Sequence, residues 1–172
     1  MGMVAQLNAA RRARRPQPGK KHDLPGELIV SLTSYHARFG TLHLTLGCLL
    51  DQSVSADRTI LWLAHGDVGQ LPAAVQDLQP HGLEIRSCGD LRSFKKLVPA
   101  LEAFPDAFIA TADDDVHYSR SWLETLVSGS EEGVITCHRA HGRRGTADGG
   151  PRPYLDWEFA VQDESGKPSA DI

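Results

Sequence analysis

Three consecutive aspartates, Asp113-Asp114-Asp115, follow the apolar run Phe108-Ile109-Ala110-Thr111-Ala112. Two carboxylates about 4 Å apart repel by roughly 4 kcal/mol at an effective dielectric of about 20, so such a run calls for a compensating charge. A hard divalent cation suits carboxylate oxygens, and magnesium or manganese held by one or two carboxylates keeps coordination positions open for phosphate oxygens. Asp113 and Asp115 flank Asp114 as an Asp-x-Asp pair and point the same way if the extended backbone of the preceding run persists. The pattern predicts a site where Mg2+ or Mn2+ meets a diphosphate, in preference to a helix-capping or solvated acidic turn before Ser121.

Other groups of matching chemistry stand beside apolar runs. Lys95 and Lys96 have two open readings: they neutralise phosphates at the edge of a sheet, or they occupy a solvated face. Arg38 either forks onto a phosphate or fixes its own loop through an ion pair. His138 and His141, three residues apart, are a candidate source of one metal ligand, and an exposed loop accounts for them almost as well.

A sheet must position these groups. Short apolar runs bounded by turn residues predict buried strands at 28–32, 59–63, 107–112 and 133–137, and the alternation at 83–87 predicts a strand near a sheet edge. Helices are expected over 41–51, after Pro72 with Val75 and Leu78 on one face, and from Ser121, whose Ser-x-x-Glu spacing is that of a capping box, to Gly129. Phe94, Leu97, Val98 and Leu101 fall on one helical face, and Pro99 requires the helix to start or kink there. Strands alternating with helices imply an α/β fold, a mainly parallel sheet with helices on both faces. In such sheets ligands bind beyond the carboxyl ends of the strands. The residues there are polar throughout: Thr33 to Arg38, His65-Gly66-Asp67, Gly89-Asp90, the acidic triplet, and His138 to His141.

Composition sets the outer bounds. A chain of 172 residues, 41% apolar and 23% charged, suits one folded domain. Residues 1–22 carry six Lys/Arg and no acid, leaving 12 basic against 22 acidic groups, net −10, in the other 150. Residues 1–26 are therefore expected to be a basic, disordered tail and 27–172 the domain. No specific nucleic-acid partner is expected, and Arg11-Arg12-Ala13-Arg14-Arg15 is the segment available for peripheral contact with an anionic membrane. No signal-peptide core and no run of 18 apolar residues occurs, so a cytoplasmic location is expected. Cys48, Cys88 and Cys137 form no C-x-x-C pair and are expected to be reduced packing residues. The Gly/Pro/Arg-rich stretch 142–153 is expected to be a loop.

Four blocks carry a family likeness: Ile29-Val30-Ser31-Leu32-Thr33-Ser34-Tyr35 with Arg38, Asp90-Leu91-Arg92-Ser93-Phe94-Lys95-Lys96-Leu97, Ala112-Asp113-Asp114-Asp115-Val116, and Cys137-His138-Arg139-Ala140-His141. Over about residues 28–142 the chain resembles bacterial glycosyltransferases related to the family 2 type. Four blocks in this order are more specific than an Asp-x-Asp pair alone. The resemblance implies a GT-A (Rossmann-like) fold, in which Asp113 and Asp115 hold Mn2+ or Mg2+ against the diphosphate of a nucleotide-sugar donor; His138 is a further candidate ligand by residue type alone. It implies that Thr33, Tyr35 and Arg38 contact the nucleotide and Asp90 its base or ribose. Lys95 or Lys96 would contact phosphates or sugar, and Asp114 would belong to the same donor-binding group.

In inverting enzymes of this kind a carboxylate deprotonates the acceptor hydroxyl, and Asp156 and Glu158 are the late candidates for that base. The acceptor, whether glycan, lipid or protein, is left open. GT-A enzymes usually continue further, so the acceptor half is expected to be abbreviated or missing. A non-catalytic nucleotide-sugar-binding domain is one competing reading, and a nucleotidyltransferase is another. A haloacid-dehalogenase-like phosphatase with Asp113 as nucleophile is a third. Its signature normally follows the first strand, whereas three strands precede the triplet here.

Overall fold

The computed structural model describes residues 15–131, 133–138, 140–142, 145–146 and 148–161. Most of the basic cluster beginning at Arg11, and the membrane contact expected of it, lies outside the described residues. The chain divides into two compact units, Met1–Val127 and Ser128–Ile172.

Along the first unit the strands are β1 (Lys20–Lys21), β2 (Leu28–Thr33), β3 (Val54–Ser55), β4 (Arg58–Ala64), β5 (Leu83–Cys88) and β6 (Phe108–Ala112). Between and after them come α1 (Phe39–Leu50), α2 (Ala73–Gln76), α3 (Val98–Ala103) and α4 (Trp122–Ser128). Four strands form one parallel sheet in the order β5-β4-β2-β6. The chain moves outward from β2 through β4 to β5, then returns to lay β6 on the other side of β2. The loops after β2 and β6 therefore diverge from adjacent strands and open a crevice at the carboxyl edge.

Side-chain alternation along β2 explains why the sheet is covered twice. Leu28, Val30 and Leu32 join Leu61, Leu63 and Leu83 under Leu42, Leu46 and Leu49 of α1, Val75 of α2 and Leu123 of α4. Ile29 faces the other way, onto Ile60, Trp62 and Ala100 of α3. Each fully buried Leu or Ile of this kind contributes roughly 1.5–3 kcal/mol through area removed from water. The α/β architecture with helices on both faces is thus present. β5 lies at an edge, as its alternation requires, and α3 begins next to Pro99.

Several elements depart from their sequence patterns. Residues 133–137 form no strand: Ile135 is 92% exposed, so this apolar run lacks the burial that strand pairing would bring. β6 is an edge strand, half-buried along most of its length rather than enclosed. Phe94 (66% exposed), Leu97 and Leu101 face outward, because residues 92–96 form a 3-10 turn and not the first turn of an α-helix. Cys137 is exposed, and only Cys48 is buried.

Residues 17–26, assigned by composition to a disordered tail, are bound to the first unit. β1 pairs in parallel with β3, and the Gln17 amide donates to Asp51. Gly19 lies so close to Ser53 that a Cβ there would sit 2.3 Å from the Ser53 carbonyl oxygen, so glycine is required. Further along, Asp57 accepts from the Leu28 amide at 2.8 Å and from Nε2 of buried His22 at 2.7 Å. The Leu24 amide donates to His22 Nδ1, which sets that tautomer.

In the second unit β7 (Ala140–Gly142) and β8 (Glu158–Val161) pair antiparallel. A bridge between Gly145 and Pro151 lies within the stretch expected to be a loop. Among the described residues no helix is long and apolar enough to cross a membrane.

Two measurements test this account. The Asp57 carboxyl is held below its ordinary value, chiefly by the Leu28 amide and then by His22. A depressed folded pKa means that its stabilisation is fully present above about pH 4 and is lost as pH falls through the folded value. Asp57→Asn should flatten the acid limb of urea stability plotted against pH; an unchanged slope would contradict the role assigned to this carboxylate. Buried Gln52 donates from Nε2 to the carbonyls of Cys48 and Ser119, both at 2.8 Å, and accepts from the Leu123 amide at 3.0 Å. Gln52→Leu removes all three of these bonds from a buried position and should cost about 2–4 kcal/mol in urea unfolding.

Candidate functional site

The carboxyl edge of the sheet borders a cavity of about 750 Å3, within the usual size range of small-molecule sites. Four strand ends line it. The loop after β2 contributes Thr33, Ser34, Tyr35, His36 and Arg38, and the end of β4 contributes Ala64 and Asp67. The segment after β5 contributes Asp90, Arg92, Ser93, Lys95 and Lys96, and β6 runs into the acidic triplet.

The triplet alternates as extended backbone does. Asp113 and Asp115 are 61% and 57% exposed, whereas the Asp114 side chain is only 11% exposed. Asp114 is pinned from the neighbouring loop: Ser34 Oγ donates to Oδ2 at 2.6 Å and Arg38 Nη1 to Oδ1 at 2.9 Å. Its backbone carbonyl accepts from Thr45 Oγ1 of α1. The same Arg38 nitrogen reaches Asp115 Oδ2 at 2.5 Å, and Lys96 Nζ donates to Asp113 Oδ1 at 2.6 Å. The repulsion within the triplet is therefore offset by two cations carried on other elements. Arg38 is raised above its already high pKa, through Tyr35 first and then Asp115 and Asp114, and stays charged.

Other bonds fix the backbone under these groups. Buried Ser31 of β2 donates to the Lys96 carbonyl at 2.6 Å, tying the 3-10 turn to the central strand. The Asp113 amide donates to the Tyr118 hydroxyl at 2.7 Å. Burial above all, with the charges of the triplet added, pushes Tyr118 up to about 12, so it remains a neutral phenol. Adjacent lysines have opposite surroundings: the Lys96 side chain is partly exposed toward Asp113, while that of Lys95 is buried with its Nζ 2.9 Å from Asp90 Oδ1. That ammonium, and next the Arg92 amide, holds the Asp90 carboxyl below its ordinary range.

A magnesium or manganese ion is compatible with this donor set. Asp113 Oδ2 and Asp115 Oδ1 carry no hydrogen bond among the described residues, and both residues line the cavity. Among the described residues no group of three or more His, Cys, Asp or Glu converges on one point. A cation here would take the remainder of its coordination shell from water and ligand oxygens, as magnesium commonly does.

Nine of the residues singled out in the sequence thus meet in one cavity: Thr33, Tyr35, Arg38, Asp90, Lys95, Lys96, Asp113, Asp114 and Asp115. His138, Asp156 and Glu158 belong to the second unit. His138 and Asp156 are exposed there, and Glu158 opens β8. The sequence marks Ser34 and Asp67 only as members of polar strand ends and Arg92 only within a motif block, and it does not mark Tyr118; the bond of Ser34 to Asp114 spans 80 residues, which no local pattern reports. No protein-family model, curated protein or solved structure matches the chain.

The alternation has a measurable consequence. Asp114→Ala strands Ser34 and one contact of Arg38 and should destabilise the first unit by about 2–4 kcal/mol in urea unfolding. Asp113→Ala and Asp115→Ala remove exposed ion pairs and should stay within about 1 kcal/mol of the parent. Equal losses at all three positions would contradict the division of labour within the triplet.

Proposed function

We propose that the protein is a glycosyltransferase whose first unit binds a nucleotide-sugar together with Mn2+ or Mg2+. The observation that carries this reading is the meeting of Asp113 and Asp115 with Arg38 and Lys96 in one cavity, at the crevice between β2 and β6. That crevice is where open parallel sheets bind nucleotides. Carboxylates and cations so arranged match a diphosphate with its divalent cation: Arg38 and Lys96 would turn from carboxylate to phosphate oxygens, and Asp113 and Asp115 would hold the cation. Arg38 presents a planar fork suited to paired phosphate oxygens, while Lys96 acts as a point charge. When bound, the cation would supply charge neutralisation for the departing nucleoside diphosphate.

The finer GT-A assignment belongs to the same proposal and is supported by the sheet order and by the triplet after β6. The cytoplasm is the proposed location. The acceptor class stays open among glycan, lipid and protein.

Thermal shift and calorimetry with a panel of nucleotide-sugars, with and without Mn2+, test the reading. At about 100 times Kd, one of them should stabilise the protein by roughly 2.7 kcal/mol. Most of that effect should require the metal. Asp113→Asn with Asp115→Asn should remove the metal-dependent part, and Lys96→Ala should weaken binding about tenfold, the loss of one charge-assisted contact. If no nucleotide-sugar stabilises the protein in the presence of metal, the reading is wrong. Donor binding without transfer or slow hydrolysis would instead identify a binding module.

A further inference from the structure

Lys95 is the anomaly of the cavity. Its side chain is 5% exposed, although lysine normally runs its stem along the surface and leaves the ammonium in water. Removing an ammonium from water is costly unless its partners compensate, and here the described partner is a single oxygen, Asp90 Oδ1, on a residue that is itself 55% exposed. A buried pair of this kind adds little to stability, and an apolar residue of similar volume often serves a core as well. A second costly feature converges on the same oxygen. The Arg92 amide donates to Asp90 Oδ1 at 3.1 Å, and Arg92 has φ of 54°, the left-handed region that residues other than glycine seldom adopt.

Both features fix one carboxylate. With Oδ1 holding two donors, Oδ2 has, among the described residues, only the Arg92 guanidinium nearby, with Nε at 3.8 Å. It remains the acceptor that Asp90 can offer the cavity. We propose that Lys95 is a positioning residue: its buried ammonium and the strained Arg92 amide orient Asp90 so that Oδ2 accepts a hydrogen bond from a hydroxyl or N–H group at the nucleoside end of the ligand. The ligand's direction follows from the proposed cation: held by Asp113 and Asp115 after β6, beside Arg38 and Lys96, it would keep the phosphates at that end of the cavity and leave the uncharged, donor-bearing end to reach Asp90 after β5. Lys95 therefore does not contact phosphate, unlike its neighbour Lys96.

This inference rests on the nucleotide-sugar reading, and one titration set separates the two. Calorimetry would compare uridine and guanosine diphosphates with inorganic pyrophosphate, all with Mn2+, on the full chain and on Lys95→Met, Lys95→Gln, Asp90→Asn and Asp90→Asn/Lys95→Met. The expected result is at least a tenfold loss of nucleoside diphosphate affinity in each single variant and no greater loss in the double variant. Pyrophosphate affinity should stay within twofold of the parent throughout. A parallel loss of pyrophosphate affinity would place Lys95 on the phosphates and overturn the proposal. Additive losses in the double variant, or unchanged nucleoside diphosphate binding in both Lys95 variants, would also overturn it. Failure of the parent protein to bind any of the three probes would instead remove the functional reading itself. Asp90→Asn leaves Lys95 in place, so the comparison survives if both Lys95 variants fold poorly.

Discussion

Three adjacent carboxylates cannot share a strand end unless other parts of the chain bring charge to them, and that requirement organises the crevice. Arg38 and Ser34 come from the loop after β2, Lys96 from the turn before α3, and Thr45 from α1. Asp114 takes the inward place and binds the β2 and β6 loops together. Asp113 and Asp115, one residue to either side, are thereby held outward. A solvated acidic turn would not need this set of partners, and it would not place the outer carboxylates against a cavity.

The hydrophobic core makes such a contact possible. Because β2 is buried on both faces and pairs with β4 and β6, its register fixes where the loops after β2 and β6 emerge. A one-residue slip would turn Ile29 and Val30 to the wrong layers and move Ser34 away from Asp114, so packing and polar contacts specify the same alignment. Ser31 extends this coupling. As a buried polar residue between Val30 and Leu32, it anchors the turn bearing Lys95 and Lys96 to the centre of the sheet.

How much of this was legible depended on range. Apolar runs bounded by turns marked β2, β4 and β6, and alternation marked β5; burial agrees fully with pattern at β2 and β4, whereas β6 is only half-buried because it lies at an edge. Residues 133–137 carry the same pattern and form no strand, since exposed Ile135 shows that nothing in the described structure covers the run, and a sequence pattern cannot report its cover. Phe94, Leu97 and Leu101 were misplaced for a geometric reason. A 3-10 turn has three residues per turn, so Phe94 and Leu97 align on the outer side while Lys95 turns inward. The Asp-x-Asp alternation was legible from backbone period alone. Its tie to Ser34, 80 residues away, was not. Nor was the attachment of residues 17–26, where a basic composition concealed the fit of Gly19 and the pairing of His22 with Asp57.

The charge pattern also bears on how the proposed site would work. Four of the five acids that line the cavity face a lysine or arginine: Asp113 with Lys96, Asp114 and Asp115 with Arg38, and Asp90 with Lys95. Adding a diphosphate alone would leave the carboxylates uncompensated once Arg38 and Lys96 moved to phosphate, and adding a divalent cation alone would compete with both bases. Adding the two together exchanges partners while keeping the local charge nearly balanced, since the cation offsets the diphosphate. On this reading cation and nucleotide-sugar favour each other's binding through the ion pairs that hold the empty site in shape. The coupling follows from Asp113 and Asp115 being outward and ion-paired, while Asp114 keeps its bonds from Ser34 and Thr45 throughout.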